Sequence, residues 1–322
     1  MSDSEDEPTS KVLNFEVIKR GLLQVGRTFD GTSYAFLKLE LENREIETIS
    51  EDLSQYQHLR YIKLSGNRLQ NIDVISKIPN VLRLDLKGNR VNNLEVFNNE
   101  ETFHYLQFLD LSNNNVKNLS SIKVPKILSL NLSKNEISNV SDFQGHANLK
   151  VLELRGNKIS SLIGLKGMPN LQELYLAQNN INSLEGLEDL PSLKKLHLRK
   201  NKIQALEEEK IPDLPELEYL NLRENEVLDI KQLGLLKKLE KLKKLNLIDC
   251  PLNAEPSGNA KKEILIVLPK IDFVNKEEVT QDDREEAYNE AQERFIAAEN
   301  ARKEAERLAE EAAEREREKE QE

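Results

Sequence analysis

The chain has 322 residues and a formal net charge of −11, but this charge is unevenly distributed. Residues 1–10 hold four acids and no base, and residues 281–322 hold 16 acids against 8 bases, so the residues between them are nearly neutral at +1. A neutral body argues against a nucleic-acid-binding protein, which would present a strongly basic face.

The N-terminal segment is predicted to cap whatever follows it. Residues 1–10 are expected to be a disordered acidic N-terminus, and residues 11–35 an N-terminal capping helix that begins at Asn14. The apolar side of this helix would consist of Phe15, Ile18, Leu22 and Val25. Two glycines, Gly26 and Gly31, would then lead into a first strand with the apolar residues Phe36, Leu39 and Leu41.

Residues 36–252 repeat one frame, L-x-x-L-x-L-x-x-N-x-L, about ten times at a period near 22 residues. Eight near-matches share an asparagine, namely Asn67, Asn89, Asn114, Asn135, Asn157, Asn179, Asn201 and Asn225. This is the leucine-rich-repeat signature, and so short a period selects a solenoid whose units bury their leucines only by stacking. The predicted fold class is therefore α/β, a leucine-rich-repeat solenoid with a concave parallel sheet, N- and C-terminal caps and a long C-terminal helix.

Each repeat divides into a strand and a turn. The alternation of Leu196 and Leu198 with Lys195, His197 and Arg199 has the period of two that is typical of a short strand. The asparagine that follows can both donate and accept, so we expect it to satisfy backbone groups of its own turn and of the adjacent coil. Stacked asparagines would then form a ladder along the solenoid.

The outward strand positions form columns on the concave face, where such solenoids bind partners. The candidate partner-binding residues are eight of the residues in these columns, chosen among the aromatic, arginine and histidine positions: Tyr61, Phe108, Arg155, Tyr175, His197, Arg199, Tyr219 and Arg223. Most of them fall in the C-terminal half. Aromatic residues with arginine have the composition of interface hot spots, although ordinary solvated strand residues would also fit the pattern.

Beyond the repeats, residues 253–276 are predicted to form a C-terminal cap. Its residues facing the last coil would be Ile264, Val267, Leu268, Ile271 and Phe273. Residues 277–322 are nearly all Glu, Arg, Lys and Ala, which predicts a charged alanine-rich helix. Only Tyr288 and Phe295 add bulk to its seam, so a coiled coil, a solvated helix and a helix docked on a partner all stay open.

The sequence offers no sign of catalysis. His58, His104, His146 and His197 lie in different repeats without metal-ligand spacing, and no phosphate-binding glycine loop occurs. The single cysteine, Cys250, excludes a disulfide within the chain and fits an intracellular compartment. No apolar run reaches transmembrane length, and the polar N-terminus is unlike a secretory signal. We expect protein partners and no enzyme, cofactor, metal, membrane, nucleic acid or small-molecule substrate.

The 22-residue unit, with Leu190-Pro191 at the closure of a coil, resembles the short leucine-rich-repeat class of the phosphatase-regulatory and dynein light-chain type. The segment from Leu174 to Ile203, LYLAQNNINSLEGLEDLPSLKKLHLRKNKI, resembles the leucine-rich repeat-containing protein 23 family, the radial-spoke leucine-rich-repeat proteins of motile cilia. The segments Gly21 to Leu23 and Tyr34 to Leu39 are also similar to that family. The chain departs from it by lacking a long acidic N-terminal extension and by ending in a longer, alanine-rich helix.

This resemblance implies a non-catalytic structural scaffold of the ciliary axoneme. The protein would be a radial-spoke component that binds spoke-head proteins through its concave face and its C-terminal helix. It would lie in the cytoplasm, in the cytoskeleton of the cilium. The alternative is a regulatory subunit that grips a protein phosphatase catalytic subunit on its concave face.

Overall fold

The computed structural model describes residues 11–28, 30–254 and 260–321, with the side chains of 253, 254 and 314–321 left aside. The α-helices are α1 (Phe15–Gly21), α2 (Asp73–Ser76), α3 (Ala260–Val267) and α4 (Gln281–Gln321). The strands are β1 (Val12–Leu13), β2 (Leu22–Arg27), β3 (Tyr34–Glu40), β4 (Thr48–Ile49), β5 (Tyr61–Lys63), β6 (Arg83–Asp85), β7 (Phe108–Asp110), β8 (Ser129–Asn131), β9 (Val151–Glu153), β10 (Glu173–Tyr175), β11 (Lys195–His197), β12 (Tyr219–Asn221), β13 (Lys244–Asn246), β14 (Phe273–Val274) and β15 (Glu277–Glu278). Short 3₁₀ helices occupy Glu51–Gln55, Glu95–Phe97, Glu208–Lys210, Ile230–Lys238 and Pro251–Ala254.

One sheet runs the length of the solenoid, from β2 to β15. Its 13 strands follow the order β15-β14-β13-β12-β11-β10-β9-β8-β7-β6-β5-β3-β2, so consecutive repeats are neighbours. All pairs from β3 to β14 are parallel, and an antiparallel strand closes each end. The predicted α/β leucine-rich-repeat solenoid with a parallel sheet is confirmed.

The predicted asparagine ladder is present and buried. In one repeat, the Nδ2 of Asn179 donates to the carbonyls of Leu176 (3.0 Å) and Leu154 (2.9 Å), while its Oδ1 accepts the N–H of Ile159 at 3.1 Å. At the far end Cys250 takes the asparagine position, and its buried Sγ donates to the carbonyl of Leu222 at 3.2 Å. Each rung joins two coils, because its partners belong to its own repeat and to the preceding one.

The convex side is closed by tight turns in which backbones touch. At Gly186 φ is +100°, and a Cβ there would lie 2.5 Å from the N atom of Ile163 in the neighbouring coil. Only glycine adopts this conformation without strain and leaves room for that approach. In the long repeat before Asn114, the rings of Phe97 and Phe103 fill the extra space, with centroids 5.1 Å apart.

The N-terminal cap differs from the prediction of one helix over residues 11–35. Asn14 does cap α1, with its Oδ1 accepting the N–H of Val17 at 3.1 Å, but the helix ends at Gly21. The chain continues as β2, which pairs with β3 and leaves Val25 58% exposed. The inward residues of β3 are Leu37 and Leu39, so Phe36 faces outward. Strand pairing is favoured because β3 would otherwise present an open edge of unpaired backbone N–H and C=O groups, which β2 satisfies.

The C-terminal cap is formed by α3 and the β14–β15 hairpin. Ile264, Leu268 and Ile271 are buried as expected, whereas Val267 and Phe273 are half-buried, and the chain is already a strand at Glu277–Glu278. The predicted long helix begins only at Gln281. The predicted N-terminal disorder lies outside the described residues.

The base of α4 packs on α3 through polar contacts. Lys261 pairs with Asp283 at 2.6 Å, and Arg294 reaches both carboxylate oxygens of Glu263 at 2.6 and 2.8 Å. Ala287 is the residue of α4 that is buried. From position 292 to 313 every described side chain of α4 is exposed. The helix is thus anchored at its start and projects beyond.

Candidate partner-binding surface

Four of the predicted residues form a stack across β9–β12. The ring of Tyr175 lies on that of His197 with centroids 4.5 Å apart and planes at 23°, and His197 meets Tyr219 edge-on at 4.9 Å. The Arg155 guanidinium covers the other face of Tyr175 at 4.3 Å. Parallel register places Tyr175 opposite His197 on the neighbouring strand, whereas Tyr219 stands opposite Lys195, two residues before His197. We call Arg155, Tyr175, His197 and Tyr219 the aromatic stack.

The surroundings of the stack fix its protonation. Burial, together with the hydrogen bond that its hydroxyl donates to Glu173 Oε2 at 2.5 Å, raises the pKa of Tyr175 to about 12. Burial, and next the nearby Arg155, lowers the pKa of His197 to about 4. At neutral pH Tyr175 is therefore a phenol and His197 a neutral imidazole, beside the guanidinium of Arg155.

The two other predicted arginines flank the stack and are paired within the chain. Arg199 donates to Glu224, with Nη2 2.6 Å from Oε1. Arg223 bridges Glu224 at 3.2 Å and Asp249 at 2.8 Å. These arginines are held in place by their carboxylates, so a partner must share or displace those ion pairs.

Tyr61 and Phe108 lie apart from this group. They are on β5 and β7, in the N-terminal half of the concave face, and are 39% and 40% exposed. Phe108 has a local cationic neighbour, Arg83, 5.4 Å from its ring. The structure therefore brings together six of the eight predicted residues and leaves two as separate surface aromatics.

Several acidic residues belong to the same face but were not predicted from the sequence. Glu173 holds Tyr175 and also pairs with Lys195 at 2.7 Å, and these contacts lower its pKa. Asp85 and Asp110 occupy one register position on neighbouring strands. Burial, with Asp110 nearby, raises the pKa of Asp85. These carboxylates could have been found from the sequence, because they occupy the same outward strand positions as the aromatic and basic residues.

Two properties of the described residues bear on other functions. Among the described residues, no group of three or more His, Cys, Asp or Glu side chains is arranged so that it could hold a metal ion. None of the described helices combines the length and the apolarity that a membrane crossing requires.

Comparisons with known proteins agree with this architecture. The family model "Leucine Rich repeats (2 copies)" matches residues 147–190 and 169–216. Leucine-rich repeat-containing protein 23 of Bos taurus is 34% identical over 46% of this chain and 42% of its own length. The Homo sapiens protein of the same name is 34% identical over 45% of this chain and 41% of its own.

The chain is also similar to a solved structure. The functional domain of InlJ from Listeria monocytogenes is 17% identical, with a TM-score of 0.49 over 77% of this chain and 56% of that one. The chain spans about two fifths of the length of the curated relatives it matches. The resemblance inferred from the sequence is confirmed over this region: the chain is a leucine-rich-repeat solenoid similar to leucine-rich repeat-containing protein 23.

Proposed function

We propose that the protein is a non-catalytic scaffold of the ciliary axoneme, a radial-spoke component that binds spoke-head proteins through its concave face and its C-terminal helix. The observation that carries the binding role is the aromatic stack with Arg199 and Arg223 beside it. The likeness to leucine-rich repeat-containing protein 23 supports the ciliary setting, because it implies the radial-spoke role of that family.

The geometry of the stack suits a protein partner. Its rings are held by stacking and by the hydrogen bond from Tyr175 to Glu173, so a partner would order few additional side chains on binding. Tyrosine and arginine held in this way are the residues that contribute most to interfaces. The curvature of a parallel sheet built from single-strand repeats presents them on one extended surface.

The projecting part of α4 supplies a second contact. Tyr288, Phe295 and Ile296 are 64%, 66% and 54% exposed, while the base of the helix is tied to α3 by ion pairs. A helix fixed at one end and apolar at points along its length can reach a neighbouring subunit. We propose docking on a partner for this helix rather than self-pairing, because its acid excess repels a second copy.

The test uses tagged full-length protein expressed in ciliated cells that lack the endogenous protein. Axonemes are stripped with detergent and then with increasing salt, and the retained fraction is quantified by immunoblot. The double variant Tyr175→Ala/Arg199→Ala should be retained several-fold less than the wild type. Tyr105→Ala/Arg68→Ala is a matched control, since it removes a 40% exposed tyrosine and an ion-paired arginine elsewhere.

Equal retention of the two double variants would contradict the proposed binding surface. A soluble pool that copurifies with a cytosolic phosphatase, with no axonemal fraction, would contradict the ciliary role.

A further inference from the structure

A polar recess lies beside the aromatic stack, where β6–β9 end. It encloses about 390 Å³, and its lining includes Lys87, Ser112, Ser133, Lys134, Glu153 and Arg155. Four of these residues occur at one repeat position, two residues after the strands end: Lys87, Ser112, Ser133 and Arg155. The solenoid thus places hydroxyl and cationic side chains from four successive repeats around one space.

The cations of the recess are only partly neutralised by the chain. Neither Lys87 nor Lys134 forms an ion pair with any of the described residues. Arg155 approaches Glu153 only to 3.9 Å, whereas Arg199 and Arg223 sit 2.6 and 2.8 Å from their carboxylates. Three cations and one carboxylate leave the recess with a net charge of +2.

The recess also contains an unsatisfied polar atom. Ser133 is 8% exposed, and its Oγ has no hydrogen-bond partner among the described residues. A buried hydroxyl without a partner destabilises the folded state, so its presence calls for an explanation. Because Ser133 lines the recess, rotation of its side chain about the Cα–Cβ bond would bring this enclosed hydroxyl within reach of a ligand oxygen, which would supply the missing partner.

We propose that this recess binds a phosphorylated side chain of a protein partner. A phosphoserine carries a charge of about −1.5 to −2 and three acceptor oxygens. That charge matches the +2 of the recess, and Lys87, Lys134, Arg155 and the Ser133 hydroxyl are donors suited to those oxygens. Arg155 is oriented in advance, because its guanidinium is stacked on Tyr175. The inference rests on the proposed function in that the partner is one that occupies the concave face.

The probe is N-acetyl-O-phosphoserine methylamide, titrated into the full-length protein and followed by amide and Arg155 Nε–H resonances. N-acetylglutamate methylamide and N-acetylserine methylamide are the comparison probes. We expect saturable shifts confined to the recess, with phosphoserine binding at least fivefold more tightly than glutamate and the serine probe producing none. Glutamate binding as tightly as phosphoserine would overturn the proposal, as would shifts spread over all lysine-rich surfaces.

Variants locate the site. Lys134→Gln should weaken phosphoserine binding at least fivefold. Lys200→Gln is the matched control because Lys134 and Lys200 occupy the same turn position, with φ of 57° and 58°. It should change binding less than twofold. Equal effects of the two substitutions would show generic attraction to positive charge and overturn the proposal.

Ser133→Ala separates binding from folding. Because the hydroxyl has no partner among the described residues of the free protein, its removal should raise the Tm and weaken phosphoserine binding. A lowered Tm with unchanged binding would mean that Ser133 has a structural role, which would contradict the proposal. If the titrations fail while Tyr175→Ala/Arg199→Ala still lowers axonemal retention, the recess proposal falls and the scaffold function stands.

Discussion

Replacing Asn201 by Ala tests the physical basis of the solenoid. Its Nδ2 donates to the carbonyls of Leu176 (3.0 Å) and Leu198 (2.9 Å), and its Oδ1 accepts the N–H of Ile181 at 3.1 Å. Both carbonyls keep a second donor, because Asn179 also bonds Leu176 and Asn225 also bonds Leu198. The N–H of Ile181 loses the acceptor that Asn201 supplies.

The cost follows from these three contacts. A buried N–H left without a partner costs about 1–3 kcal/mol, and each weakened carbonyl adds about 0.5–1.5 kcal/mol. We therefore expect Asn201→Ala to lower the free energy of unfolding by roughly 2–6 kcal/mol. The neighbouring Asn180 is exposed, so Asn180→Ala should change it by less than about 0.5 kcal/mol.

Urea denaturation followed by circular dichroism measures both variants at equal protein concentration. Hydrogen exchange at the amide of Ile181 gives a local readout, and this amide should lose protection in Asn201→Ala alone. If the free energies of unfolding of Asn201→Ala and Asn180→Ala differ by less than about 0.5 kcal/mol, the ladder does not stabilise the coils as described.

Three further predictions concern the turns, the stack and the tail. Gly186→Ala should destabilise by more than about 1 kcal/mol, since φ is +100° and its Cβ would meet the next coil; a urea midpoint equal to the wild type would contradict this. His197 has a folded pKa of about 4 against an ordinary 6.5, so the unfolded state binds its proton first and stability is lost as pH falls from 6.5 towards 4. The variant His197→Phe keeps a ring in the stack but has no proton to bind, so its urea midpoint should fall less between pH 6.5 and 4 than that of the wild type. If NMR shows His197 of the folded protein titrating near pH 6.5, the reasoning is wrong. Removing residues 299–322 should leave the Tm unchanged. Removing residues 281–322 should lower the Tm, because it also removes the Arg294–Glu263 and Lys261–Asp283 ion pairs and the burial of Ala287. If calorimetry shows both truncations melting at the same temperature, the base of α4 is not anchored as described.

The sequence predicts the repeats well because one physical requirement recurs in each. Leu196 and Leu198 alternate with exposed residues, which predicts the strand. Asn201 must pair with backbone groups in two coils, so its recurrence from repeat to repeat predicts the ladder. The same register placed Tyr175 and His197 on the concave face of neighbouring strands, and the structure adds that their rings stack.

The ends were less predictable because they obey no repeat. The apolar spacing of Ile18, Leu22 and Val25 fits a helix, yet β2 forms because β3 presents an open edge to it. Likewise, the acids that hold Arg199 and Arg223 come from Glu224 and Asp249 at turn positions outside the strand columns. The polar docking of α4 on α3 depends on tertiary placement, which a charged alanine-rich composition does not specify.

The most direct test of the central claim is photo-cross-linking at the aromatic stack inside the axoneme. p-Benzoylphenylalanine is introduced at Tyr219, and in a separate protein at Ile163, which is 57% exposed and lies in a convex turn. After irradiation of isolated axonemes, we expect a discrete adduct with a spoke-head subunit from position 219 and none from position 163. Incorporation of both proteins with no adduct at position 219, or with the same adduct at both positions, would contradict the claim that the concave face binds the partner.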